Sequence, residues 1–200
     1  MSTQPSGQDL GDRLWHDGSW PAVAGRGESA QPAVPADGAG SADQGTFRDV
    51  MGRFVTGVGI VTTIADGQCQ GMTVNSLTSV SLRPPMVLAC LATGTRTCDA
   101  VLSTGAFVVN LLAHDQLPMG RWFATTGTDH FGQAAWTPTP DGLPVLTGGV
   151  GHLICDVDWS RQASDHHIIV ARVRACQYQP GDALVFYRGS YLRCADFDPA

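Results

Sequence analysis

The apolar and polar positions of this 200-residue chain fall into two unlike stretches. Through about residue 45 no period of 2 or 3.6 develops, and Gly, Pro, Ser, Ala, Asp and Gln dominate. Such a segment cannot bury enough apolar surface to offset the entropy of ordering it. Residues 1–45 are therefore expected to form a mobile tail ahead of one domain over 46–200. Within the tail only Leu14-Trp15 and Trp20-Pro21 offer material for docking. Periodicity starts at Thr46, a hydroxyl suited to capping a helix. Phe47, Val50, Met51 and Phe54 follow at i, i+3, i+4 and i+7 and give that helix one apolar face.

Beyond it the pattern is mostly that of strands. A buried strand is expected over Val58–Ala65, a turn at Asp66-Gly67 and a returning strand over Cys69–Val80. Pro84-Pro85 breaks the chain, and Met86–Ala92 is a continuous apolar run. Helices are expected over Thr95–Leu102 and His114–Ala124, on either side of a strand at Phe107–Leu112. A Gly/Pro-rich connection over Trp136–Gly149 leads to long strands around Val150–Trp159 and His167–Tyr178. A last pair is expected at Leu184–Tyr187 and Ser190–Arg193. Many strands, short helices and recurrent turn signals predict a mainly β protein: an antiparallel barrel with short peripheral helices, not a doubly wound sheet.

Composition then narrows the function. A net charge of −6 argues against a nucleic-acid partner, which demands a basic face. No run approaches the ~20 apolar residues of a membrane-spanning helix. Asp9 and Asp12 stand where a signal peptide would carry positive charge, so a cytoplasmic protein is expected. Lysine is absent. Walker-type nucleotide chemistry and Schiff-base catalysis both need it and are excluded; any phosphate must be held by Arg, backbone N–H groups or hydroxyls. The six cysteines show no C-x-x-C spacing. Several stand in apolar runs, so they are expected to be reduced core residues and not redox or metal pairs.

Two motifs are candidates for chemistry. Gly57-Val58-Gly59 is faintly like a dinucleotide fingerprint, but it follows a helix and precedes a strand, the reverse of the required order. A tight helix-to-strand corner accounts for those glycines. The stretch from Gly71 to Pro85 is richer. Read as one strand, it places Thr73, Asn75, Leu77, Ser79 and Ser81 on one face, and all but Leu77 are short uncharged polar groups. A solvated sheet face explains that pattern, and so does a ligand rich in carbonyl, hydroxyl and phosphate oxygens. His166 and His167 are adjacent on a strand and point to opposite faces, so no metal site drawn from His152, His166 and His167 is expected.

Taken in order, these segments resemble the flavin reductase-like domain family, the FMN-binding split barrels that serve as small subunits of two-component monooxygenases. The resemblance runs from about Thr46 to Tyr191. It is carried by Phe54-Val55-Thr56-Gly57-Val58 with Ile60-Val61-Thr62-Thr63, by the Thr73-to-Pro85 segment, and by Phe107-Val108-Val109-Asn110-Leu111-Leu112. Phe123-Ala124 with Asp129-His130-Phe131, Asp165-His166, and Phe186-Tyr187-Arg188-Gly189-Ser190-Tyr191 complete it. Three departures stand out: Ser164 replaces a glycine, His167 adds a second imidazole, and Trp122 displaces Arg121 by one position from Phe123.

The resemblance implies an antiparallel split β-barrel that binds FMN or FAD and draws hydride from NADH or NADPH. It implies a flavin reductase that supplies reduced flavin to a partner monooxygenase, as a homodimer with flavin near the subunit contact. By the same resemblance Met72, Thr73, Val74, Asn75 and Ser76 meet the flavin ring, and Ser79 and Ser81 continue toward ribityl and phosphate. Asn110, Phe123 and Tyr191 lie at or near the flavin, Arg96 is a phosphate candidate, and Asp165 and His166 mark the nicotinamide site, with His166 as the positioning group. Two rival readings are a flavoenzyme that keeps its FMN and acts on an organic substrate, and a flavin carrier without turnover.

Overall fold

The computed structural model describes residues 43–126 and 129–194. The expected tail, except for its last three residues, lies outside that range. Order begins at Asp43, whose side chain accepts a hydrogen bond from the Thr46 backbone N–H at 2.8 Å and caps helix α1 (Gln44–Met51). Asp43, not Thr46, is therefore the cap, because a carboxylate three residues upstream reaches the orphan amide. The apolar face of α1 is present but bare: Phe47, Val50, Met51 and Phe54 are 50–69% exposed.

Strands β1 (Thr56–Gly57) and β2 (Gly59–Ala65) lead through the Asp66-Gly67 turn into β3 (Gln68–Val74). The expected single strand over 69–80 is in fact two. Asn75, Ser76 and Leu77 leave the ladder, and β4 (Thr78–Leu82) pairs with β5 (Pro85–Ala92) instead of with β2. Then follow α2 (Arg96–Thr104), β6 (Ala106–Leu111), a 3-10 turn at His114–Gln116 and α3 (Leu117–Trp122). The Gly/Pro-rich connection folds into a small hairpin of β7 (Trp136–Pro138) and β8 (Pro144–Leu146). Two long strands, β9 (Gly151–Ala163) and β10 (His166–Tyr178), precede the closing pair β11 (Leu184–Tyr187) and β12 (Ser190–Arg193).

Seven strands make one antiparallel sheet in the order β3-β2-β6-β9-β10-β5-β4. Its two edge strands, β3 and β4, are consecutive in sequence and joined by only three residues. At no more than about 3.6 Å per residue that link is short, so the sheet must curl until its edges approach each other. Ser76 stitches the gap, donating to the Cys90 carbonyl at 2.8 Å and accepting from the Cys90 N–H at 3.1 Å. The result is an open, curled antiparallel sheet with short helices at its periphery. One core fills the curl, with Val61, Val74, Leu91, Val109 and Ile169 packed against Cys98 and Val101 of α2. A second core, with Ile60, Leu112, Phe123 and Leu184, joins the sheet to α3 and to the smaller β1-β11-β12 sheet.

Among the described residues no helix is long and apolar enough to cross a membrane. All six cysteines are free. Cys98 and Cys155 are buried as expected, whereas Cys176 and Cys194 are exposed, since the far ends of β10 and β12 project beyond the cores. Burial pushes the Cys155 thiol up to about 12.

Candidate functional site

The β9–β10 hairpin builds one wall. Ala163 pairs with His166, so Ser164 and Asp165 form a two-residue turn. Ser164 holds φ +55°, the left-handed region that glycine occupies without penalty and a serine does not. That backbone demand explains why glycine suits this position, and the turn forms here in spite of the substitution. The Asp165 carbonyl accepts from the Thr93 N–H at 2.9 Å, which fastens the hairpin tip to the end of β5. Above it the Asp165 carboxylate meets His166 Nδ1 at 2.9 Å, and that contact holds the carboxyl below its ordinary range. Both side chains stay solvent-accessible. His167 turns the other way: it pairs with Leu91, shares the core face with Ile169, and is half-buried with its Nδ1 unpartnered.

The opposite wall is the break between β3 and β4 with the start of α2. Asn75 is exposed, and among the described residues no turn or loop backbone bond involves residues 75–77. The Thr95 hydroxyl caps α2 through the Cys98 N–H at 3.3 Å and also reaches Met72 Sδ at 3.8 Å. Arg96 opens α2, exposed and without an ion pair among the described residues. Thr95 reaches Met72, Ser76 bonds Cys90, the Asp165 carbonyl bonds Thr93 and His166 pairs with Ala92, so the β3–β4 break, the start of α2 and the β9–β10 tip meet in one rim around the end of β5. Ser79 and Ser81 continue along edge strand β4, with a bulge between them, and Ser81 accepts from the Arg83 N–H at 3.1 Å. Cys90 and Thr95 link the rim together, and sequence patterning singles out neither, because both act through capping or backbone groups.

Other expected site residues have side chains engaged within the fold. The Val74 side chain lies in the core. The Thr73 hydroxyl donates to the Gly120 carbonyl at 2.7 Å and its N–H to the Phe123 carbonyl at 3.1 Å, so both clamp α3 onto β3. Asn110 is 1% exposed; its amide donates to the Ile60 carbonyl and Thr62 Oγ1, each at 3.0 Å, and accepts from the Leu146 N–H at 2.8 Å. Phe123 is buried, stacked on His130 with ring centroids 4.7 Å apart. It lies so close to Gly71 that a Cβ there would come within 2.8 Å of the ring. Tyr191 packs on Phe186, and the displaced Arg121 sits over its ring at 5.7 Å. In this chain the side chains of Thr73, Val74, Asn110 and Phe123 are committed to the fold, and Arg121 is committed to Tyr191.

Chemically, the rim offers uncharged donors, a guanidinium without an ion pair among the described residues beside a helix N-terminus, and an imidazole on a carboxylate. That set matches the carbonyl edge, hydroxyls and phosphate of a flavin nucleotide next to a nicotinamide. Residues 51–195 match the flavin reductase like domain. The chain belongs to this family.

Relatives bear this out. The chain is 38% identical over 162 residues to the HsaB reductase subunit of a flavin-dependent monooxygenase from Rhodococcus jostii, covering 79% of this chain and 83% of that one. It is 40% identical over 148 residues to an NADH-dependent flavin reductase of a Rhodococcus species, covering 72% and 83%. Among solved structures, the NADH:FAD oxidoreductase SgcE6 of Streptomyces globisporus, in complex with NAD and FAD fragments, superposes with a TM-score of 0.74. It is 32% identical and covers 78% of this chain and 96% of that one. The chain is a flavin reductase, an oxidoreductase.

Proposed function

We propose that this reductase takes hydride from NADH and supplies reduced flavin to a partner monooxygenase, with the rim between the β3–β4 break and the β9–β10 tip as its active site. The observation that carries the site is the meeting of the β3–β4 break, the start of α2 and the β9–β10 tip around the end of β5, which brings the segments of Asn75, Ser76, Arg96, Asp165 and His166 to one rim. When both nucleotides are bound, the nicotinamide provides a hydride and the flavin accepts it. The protein needs no nucleophile and has to orient, shield and balance charge. Asn75 and the backbone of residues 75–77 face the flavin's polar edge. Arg96 and the first turn of α2 hold phosphate, and Ser79 and Ser81 offer hydroxyls along β4. Asp165 fixes the His166 ring, which positions the nicotinamide.

NADH as donor is supported by its place in the names of relatives such as the Rhodococcus enzyme. The same rim serves FMN or FAD, since its contacts fall on parts that both share. A monooxygenase partner is supported by relatives that are reductase subunits of such enzymes. Homodimer formation is supported by helix α1, which leaves a row of large apolar side chains bare.

The site is tested by flavin titration. Asn75→Ala and Arg96→Ala should each raise the flavin dissociation constant several-fold, since each loses a hydrogen bond worth about 1 kcal/mol or more. Their melting temperatures should stay unchanged. Undiminished affinity in both would move the flavin away from this rim.

A further inference from the structure

The strand register puts a second set of ligand-binding groups on the His166 face. His166 pairs with Ala163 on one side and Ala92 on the other. The next row on the same face is Ile168 with Arg161 and Cys90, and the row after it is Val170 with Trp159 and Leu88. The β9–β10 register slips only beyond Val170, so the three rows stay aligned. Paired residues share a face, and alternate residues repeat it about every 6.6 Å. His166, Arg161 and Trp159 thus mark one track roughly 13 Å long.

Two properties separate this track from an ordinary solvated face. Neighbouring strand arginines are neutralised: Arg172 pairs with Asp158 at 2.7 Å, and Arg174 pairs with Asp141 and with Asp156. Arg161 is exposed and has no ion pair among the described residues. Beside it Trp159 is 49% exposed, an indole presented to solvent at mid-strand. A guanidinium prefers phosphate oxygens, and an indole face stacks on a planar base. In a nicotinamide dinucleotide, nicotinamide, pyrophosphate and adenine follow one another in the order of imidazole, guanidinium and indole along this track.

We propose that Arg161 and Trp159 bind the pyrophosphate and adenine of the dinucleotide whose nicotinamide end lies at His166. The inference rests on the reductase reading and adds the residues that hold the non-reacting half of the donor. They touch only the half of the donor that does not react, so they act on KM and leave kcat alone. The test compares NADH with reduced nicotinamide mononucleotide, which lacks the adenylate half, as donors for the full-length protein with free flavin.

Trp159→Ala should raise KM for NADH about ten-fold, the loss of roughly 1.4 kcal/mol of stacking, and leave the mononucleotide KM within about two-fold. Arg161→Ala should raise KM for NADH by a similar factor with kcat and flavin affinity unchanged, and Arg161→Lys should restore part of it. An unchanged KM for NADH in both alanine variants overturns the proposal while wild-type turnover leaves the reductase reading standing. A variant whose sedimentation shifts toward a smaller species, with its defect varying with enzyme concentration, also overturns it and assigns the face to a second copy of the chain. A wild-type protein that consumes no NADH with free flavin defeats the reductase reading itself.

Discussion

One step along β10 separates His166, exposed on the rim beside Asp165, from His167, half-buried against Leu91 and Ile169. Their substitutions should therefore separate function from stability. His166→Ala should raise KM for NADH or slow flavin reduction by about ten- to hundred-fold, because near-attack geometry is lost, with flavin affinity preserved. His167→Ala should lower the melting temperature and leave hydride transfer nearly intact. Stopped-flow reduction and a thermal melt read the two effects, and the same kinetic defect in both variants would contradict the assignment. Single residues were only partly legible in the sequence. Alternation along a strand correctly placed the two imidazoles on opposite faces. Asn110 and Thr73 were not legible in that way, because an amide or hydroxyl that serves a ligand and one that satisfies buried backbone look alike until partners are seen. The partners here are Ile60, Thr62, Leu146 and Gly120.

At the scale of elements, the break between β3 and β4 shapes the site. An unbroken ladder over 69–80 would keep Ser76 beside β2 and leave no opening against β5. Instead the Ser76 hydroxyl makes two bonds to the backbone of Cys90 across the gap. Ser76→Ala should leave both Cys90 groups underserved and cost about 1–3 kcal/mol, since a half-buried donor and acceptor lose their partner. Denaturant unfolding would measure that cost, and a change below ~0.5 kcal/mol would show water replacing the hydroxyl. The break was hidden in the sequence by the alternation of Thr73, Asn75, Leu77 and Ser79, which continues through it. Asn75-Ser76 is turn-prone chemistry, yet strand pairing across the whole sheet decides whether it turns. The long β10 and the closing pair were legible from their apolar runs, whereas β9 continues past its expected end at Trp159 to Ala163, where a polar stretch hides the strand.

For the whole molecule, the mainly β, antiparallel architecture followed from the count of strands and turns, while the expected barrel is an open curled sheet; the bare face of α1 did not follow. A helical period announces an apolar stripe without saying what covers it. With Phe47 and Phe54 more than half exposed in one chain, the proposed homodimer has a surface to bury. Phe47→Asp with Phe54→Asp should shift sedimentation from dimer to monomer while the monomer's circular dichroism is kept. A wild-type monomer at micromolar concentration would refute the dimer. The family's activity makes a more direct demand on the chain. The decisive measurement is steady-state NADH oxidation by the purified protein with free FMN, FAD or riboflavin in large excess over enzyme, and with no organic substrate. Many equivalents of NADH should be consumed per chain, matched by the flavin reduced. Consumption limited to one equivalent, or dependent on an added organic substrate, would contradict it.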